Sequence, residues 1–152
     1  MTNIALETHI QAPREACFAL SLSVDAHTSS MRRSSEQIVA GVRQGEMTEG
    51  ETVTWRARHF GVPWRMTSLI SAYERPARFV DEQTAGPFRS WWHEHRFEET
   101  PTGTTMIDEV EFSSPLGILG RFANWLVLER YMTRLLTERN RWLREELERP
   151  AA

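Results

Sequence analysis

The sequence predicts an α+β fold in which a seven-stranded antiparallel sheet curls around a long C-terminal helix, with two short helices between strands 1 and 2. One alternating segment near the N-terminus is separated from six further alternating segments by a stretch of helical character. The chain then changes to helical periodicity, which continues almost to its end. A meander of that size has to bury one face, and the final helix is the element long enough to cover it.

The first strand is predicted over residues 4–10, where apolar residues and Thr8 alternate with Glu7 and other outward positions. Pro13 then begins a short helix, because proline is well tolerated in a first helical turn. Residues 21–35 are rich in Ser, Asp and His with weak periodicity, which indicates a second short helix followed by a loop.

Six further strands follow from period-2 alternation. Turn signals of Gly and Pro separate them, as at Phe60-Gly61 and Pro101-Thr102-Gly103. The predicted strands cover residues 37–42, 51–60, 63–73, 78–84, 88–99 and 104–113. Consecutive strands with short turns indicate antiparallel hairpins.

The last segment is predicted to be one amphipathic helix over about residues 116–148. Its apolar side carries Trp125, Met132 and Leu136, and Arg139 lies near the middle of this side, where a charge needs a partner or an anionic ligand. The complete order of elements is the helix-grip arrangement, in which the sheet and the C-terminal helix enclose a cavity.

Composition excludes several classes of function. The chain has 152 residues, a net charge of -3 and one cysteine, Cys17, which indicates a single domain (residues 1–152) without disulfides and without a nucleic-acid partner. Lysine is absent, so Schiff-base lysine catalysis is excluded. The first 13 residues carry neither a basic residue nor an apolar run, so we expect a cytoplasmic protein without a signal peptide or membrane span.

Two segments resemble a known family: FVDEQTAGPFRSWWHEHRF (residues 79–97), and GTTMIDEVEF with the later PLG (residues 103–112 and 115–117). They are similar to START-like (SRPBCC) proteins of the bacterial polyketide cyclase/dehydrase type, and residues 25–31 and 53–61 resemble further parts of the same pattern. The resemblance implies a START-like fold with a cavity for a hydrophobic or amphipathic small molecule. It implies less about activity, because the superfamily includes lipid carriers, cyclases and hormone receptors.

Strand parity sorts side chains between the two faces independently of the family. His93 and His95 share a parity with Trp91 and Phe97, and Asp108 shares one with the apolar residues of the following strand. A turn at Pro101-Thr102 would place His95 opposite Asp108 and predicts that these two side chains pair.

Parity and helical spacing together define the candidate ligand-binding residues. They comprise Trp55, Ala57, His59, Trp64, Met66, Phe79, Asp81, Gln83, Trp91, His93, His95, Asp108, Val110, Phe112, Trp125, Met132 and Arg139.

The polar members of this set leave alternatives open. The His93-x-His95 spacing occurs in zinc and iron sites, but we expect a hydrogen-bonded polar cluster and no metal or other cofactor. A His95–Asp108 pair could act as a general base, or could simply satisfy two buried polar groups. The sequence thus favours binding of a hydrophobic or aromatic small molecule, with a cyclase or dehydratase and a ligand-free partner-binding module as alternatives. The oligomeric state is not determined by these patterns.

Overall fold

The computed structural model describes residues 1–114 and 121–151, except for the side chains of Arg33 and residues 121–125. Its elements are β1 (Thr2–Ile10), α1 (Arg14–Leu22), α2 (Val24–Ser30), a 3₁₀ turn (Arg32–Ser34), β2 (Gln37–Gly41), β3 (Thr52–His59), β4 (Val62–Glu74), β5 (Arg78–Ala85), β6 (Ser90–Thr100), β7 (Gly103–Ser113) and α3 (Arg121–Glu148). The predicted α+β architecture is confirmed, and the predicted helical residues 116–120 lie outside the described residues.

The seven strands form one antiparallel sheet with the order β1-β7-β6-β5-β4-β3-β2. The N-terminal strand therefore pairs with the last strand of the meander and forms one edge of the sheet. The β4–β5 ladder contains register shifts near Thr67 and between Ile70 and Ala72, and another shift lies between Ile38 and Ala40. Such bulges bend strands and increase twist, which helps the sheet to curl.

Helix α3 packs on the inner face of this sheet. Leu143 joins a core cluster with Ile10, Phe97 and Met106, while Leu136 joins a second cluster with Val110 and its neighbours. The helix thereby covers β1, β6 and β7. No helix among the described residues is long and apolar enough to cross a membrane, and the expected cytoplasmic location stays a prediction.

Two turns fix the strands that matter most for the interior. Phe60 and Gly61 both have positive φ, 54° and 73°, as a two-residue hairpin of type I′ requires. The β6–β7 hairpin turns at Pro101 and Thr102 and pairs His95 with Asp108, the register predicted from parity.

Candidate functional site

A cavity of about 150 Å³ lies between the inner face of the sheet and helices α2 and α3. Its wall contains twelve of the residues proposed from the sequence: Trp55, Ala57, His59, Trp64, Met66, Phe79, Asp81, Trp91, His93, His95, Met132 and Arg139. Aromatic and aliphatic side chains form most of this wall, and the polar groups concentrate where β5, β6 and α3 meet.

Four proposed residues do not reach the cavity wall. Asp108 is fully buried behind the two histidines, and Val110 and Phe112 are buried in the second core cluster. The Gln83 side chain instead binds the backbone of Phe88, donating from Nε2 to its carbonyl oxygen over 2.8 Å. Strand parity predicts the correct face of the sheet for these residues, but it does not predict how far each side chain lies from the cavity. The side chain of Trp125 lies outside the described residues.

Other wall residues were missed because they come from the segment with weak periodicity and from a loop. They include Leu22, Val24, His27, Met31, Glu36 and Met47. His27 Nε2 lies 2.7 Å from Glu36 Oε2, and the His27 ring packs against Trp55 with centroids 4.3 Å apart. The irregular spacing of residues 21–35 contained no signal that would have placed them here.

Two imidazoles and two carboxylates form the polar end of the cavity, and we call Asp81, His93, His95 and Asp108 the His–Asp cluster. His93 Nε2 is hydrogen-bonded to Asp108 Oδ1 at 2.8 Å, and His95 Nε2 to Asp81 Oδ2 at 2.8 Å. The predicted proximity of His95 and Asp108 is confirmed, because the two residues lie opposite each other and His95 Nδ1 is 3.0 Å from Asp108 Oδ1. The hydrogen bond of His95 goes to Asp81, and Nδ1 makes none in this arrangement.

Helix α3 supplies the remaining partners of Asp108. Asn140 donates from Nδ2 to Asp108 Oδ2 over 2.7 Å, and Arg139 Nη1 lies 3.5 Å from Asp108 Oδ1. Arg139 also donates to Asn140 Oδ1 over 2.9 Å. Arg139, the buried cation on the apolar side of α3, is thus paired with Asp108, and its position on that side predicted such a partner.

The electrostatics of the cluster follow from burial and pairing. Burial raises the pKa of both carboxyl groups, but hydrogen bonds and positive neighbours outweigh it, lowering the pKa of Asp81 to about 2 and that of Asp108 well below its ordinary value. Burial, reinforced by His95, lowers the pKa of His93. Both carboxylates are therefore ionised at neutral pH, and His93 is neutral.

The opposite end of the cavity has a different character. His59 Nδ1 is hydrogen-bonded to the Tyr131 hydroxyl at 2.8 Å, and the Tyr131 ring lies 4.4 Å from that of Phe60. Phe60 and Val62, at the β3–β4 hairpin, are both more than half exposed. Burial lowers the pKa of His59. This end therefore combines aromatic rings with a histidine–tyrosine hydrogen bond and lies close to solvent.

Comparison with known proteins agrees with this geometry. The model of the family described as "Polyketide cyclase / dehydrase and lipid transport" matches residues 1–148. The chain belongs to this family. No curated protein matches the sequence.

Solved structures with the same fold are distant in sequence. A START superfamily protein from Mycobacterium smegmatis has a TM-score of 0.73 at 11% identity, covering 96% of this chain and 97% of its own. A protein from Chromobacterium violaceum has a TM-score of 0.76 at 10% identity, covering 97% and 98%. The major latex-like protein 151 of Panax ginseng has a TM-score of 0.69 at 11% identity, again covering 97% and 98%. These likenesses establish the START-like fold of this family member.

Proposed function

We propose that this protein binds a small hydrophobic or aromatic molecule that carries one polar group, as in lipids or polyketide-like compounds. The observation that carries the proposal is the cavity itself, which is lined mostly by apolar side chains, with polar groups at the His–Asp cluster and at a few other places such as His27, Glu36 and His59. Ligand sites in proteins combine a mostly apolar wall with a few polar groups that orient the ligand. Membership of a family described by cyclase, dehydrase and lipid-transport activities supports the same conclusion.

The cavity volume limits the ligand. An apolar cavity of about 150 Å³ can hold a molecule of the size of benzene, whereas sites for drug-sized ligands measure about 300–1,000 Å³. Trp64 lines the cavity and contacts His59 and Phe88 with ring centroids 5.2 and 5.8 Å apart. A larger ligand would require this indole to move, since it occupies the space next to the hairpin.

The ligand would lie with its apolar body against Trp55, Trp64 and Met66 and its polar group towards Asp81 and Arg139. Asp81 can accept a hydrogen bond from a hydroxyl group, and the Arg139 guanidinium can donate to a carbonyl or carboxylate. One hydroxyl or carbonyl group on an aromatic ring is therefore the simplest match to the wall.

Binding of phenol, a benzene ring with one hydroxyl group, measured by calorimetry and by tryptophan emission, tests the proposal. Ala57 is 6% exposed and lies in the cavity wall, so Ala57→Trp should fill the space and abolish binding. Arg58→Trp is the matched control, because it adds the same indole to the adjacent exposed position on the other face of β3. Trp64→Ala should strengthen binding by enlarging the cavity. Equal binding by the parent and Ala57→Trp, or no binding by the parent and Trp64→Ala, would contradict the proposal.

A second candidate function is acid–base catalysis of the cyclase or dehydratase kind, and the imidazole–carboxylate pairs of the cavity wall favour it. A carboxylate fixes the tautomer of its histidine and raises its basicity. For His95 to act as the base, its Nε2 would have to leave Asp81 Oδ2, while its Nδ1, 3.0 Å from Asp108 Oδ1, would be held by that carboxylate. Exchange of the α-hydrogens of 2-indanone in heavy water, followed by NMR, should be accelerated by the parent and lost in His95→Gln. Exchange that is unchanged by this substitution would eliminate His95 as the base.

A further inference from the structure

The two histidine rings of the His–Asp cluster lie between the carboxylates of Asp81 and Asp108. Each ring directs one nitrogen towards Asp81 and the other towards Asp108. The rings are close to each other, with centroids 3.7 Å apart. As a result, one nitrogen of each ring and one Asp81 oxygen converge on the side of the cluster that borders the cavity.

We infer that Asp81, His93 and His95 form a binding site for a divalent transition-metal ion. Asp81 Oδ2 lies 2.8 Å from His95 Nε2 and 3.6 Å from His93 Nδ1, and the three donors are all within 4.8 Å of one another. Around a tetrahedral metal with bonds of about 2.1 Å, donor atoms are about 3.4 Å apart. The observed separations bracket this value, so small rotations of the rings would complete the geometry.

Asp108 holds the rings in the orientation that such a site needs. Metal-bound histidines usually direct their second nitrogen to a carboxylate, which fixes the ring and its tautomer. Here Asp108 Oδ1 is 2.8 Å from His93 Nε2 and 3.0 Å from His95 Nδ1, and Asn140 binds its other oxygen. His95 Nδ1 makes no hydrogen bond in this arrangement. It would gain one to Asp108 when the His95 ring turns from Asp81 towards the metal.

Charge also favours a cation at this position. Two carboxylates, Asp81 and Asp108, and one guanidinium, Arg139, lie together in this buried region. Arg139 Nη1 lies 3.5 Å from Asp108 Oδ1 and also borders the cavity near Asp81, so the bound ion would share this region with one fixed positive charge. Two imidazoles and one carboxylate suit zinc or ferrous iron and leave coordination positions open. Those positions would face the cavity, where they could take water or an oxygen atom of a ligand.

Cobalt(II) and zinc are suitable probes for tag-free protein that has been treated with a chelator. The parent should bind one Co²⁺ per chain, with visible absorption bands typical of low coordination number, and Zn²⁺ should displace it. Asp81→Asn keeps the shape and a hydrogen-bonding group but removes the anionic ligand, so it should weaken binding more than about 100-fold. Asp108→Asn should weaken it by about 10- to 100-fold, since it alters only the support of the rings.

The matched control is Glu36→Gln. Glu36 is another carboxylate of the same cavity wall beside a histidine, His27, but the described residues place no third donor close enough to complete a metal site there. This variant should bind Co²⁺ like the parent. If the parent binds no Co²⁺, or if Glu36→Gln weakens binding as much as Asp81→Asn, the inference is overturned. His95→Gln provides a second loss of a ligand should Asp81→Asn fail to fold, and far-UV circular dichroism verifies folding of each variant. The test does not depend on the proposed organic ligand, because the metal alone is the probe.

Discussion

The two faces of β6 carry different kinds of charge network, although alternate residues of the same eleven-residue strand supply both. On the inner face, the buried residues His93 and His95 pair with the buried Asp108 and with Asp81, whose side chain is 20% exposed. On the outer face, Glu94 and Arg96 pair with neighbours on β5 and β7. The inner pairs must be complete because an unpaired buried charge is costly, whereas water can replace a lost partner outside.

The outer network is a ladder of ordinary ion pairs. Arg78 donates to Glu94 over 2.6 Å, Arg96 donates to the other Glu94 oxygen over 2.8 Å, and Arg96 also reaches Glu109 over 2.9 Å. The guanidinium side chains of Arg78 and Arg96 are 32% and 35% exposed. This network contributes to strand pairing. Water can hydrate the two arginines when a partner is removed, whereas Glu94 is only 8% exposed and depends more on its arginine partners.

The largest expected effect comes from Asp108, which accepts hydrogen bonds from His93 and Asn140 and lies beside Arg139. Asp108→Ala should lower the free energy of unfolding by about 3–5 kcal/mol, because it leaves buried donors and a buried cation without a partner. The neighbouring Glu109→Ala on the outer face should cost less than about 1 kcal/mol. Urea unfolding of both variants measures the difference. Equal losses would mean that burial does not distinguish the two faces.

A smaller effect is expected from the adjacent tryptophans. Trp91 is 8% exposed and packs against Phe88 and Phe112 with ring centroids 5.0 and 5.7 Å apart. Trp91→Ala should lower the free energy of unfolding by about 3 kcal/mol. This loss is at the low end for a buried aromatic residue, because the ring already borders a cavity. Trp92→Ala, at a half-buried position on the outer face, should cost about 1 kcal/mol. A larger loss for Trp92 would show that the outer face supports the fold more than its exposure indicates.

The smallest effect concerns pH. Burial raises the pKa of Glu94, but the hydrogen bonds from Arg78 and Arg96 outweigh it and lower that pKa below its ordinary value. A lowered pKa in the folded state stabilises the protein above the ordinary value near 4.3, and this stabilisation disappears as the pH falls through the lowered pKa. Glu94→Gln should therefore lower the free energy of unfolding by about 1 kcal/mol at pH 7, and by progressively less below about pH 4. Parallel stability curves for parent and variant in acid would contradict this assignment.

Local patterns determined the element order and the faces of the strands. Alternation predicts which residues share a face, since successive side chains of a strand point to opposite sides. For this reason the inward position of His93 and His95, the outward position of Glu94 and the pairing of His95 opposite Asp108 could all be obtained from residues 88–113. The short turn at Pro101 and Thr102 fixed that register, because a one-residue slip would have reversed both faces.

The sequence by itself thus determined a seven-stranded sheet, a covering helix and the residue types that face the interior. Only the tertiary structure decided which carboxylate each histidine contacts, how far Val110, Phe112 and Gln83 lie from the cavity, and that α2 contributes to its wall. Parity specifies a side of the sheet but not depth or ring orientation. Those depend on contacts among β5, β6, β7 and α3, which are distant in sequence and are set together when the sheet closes on the helix.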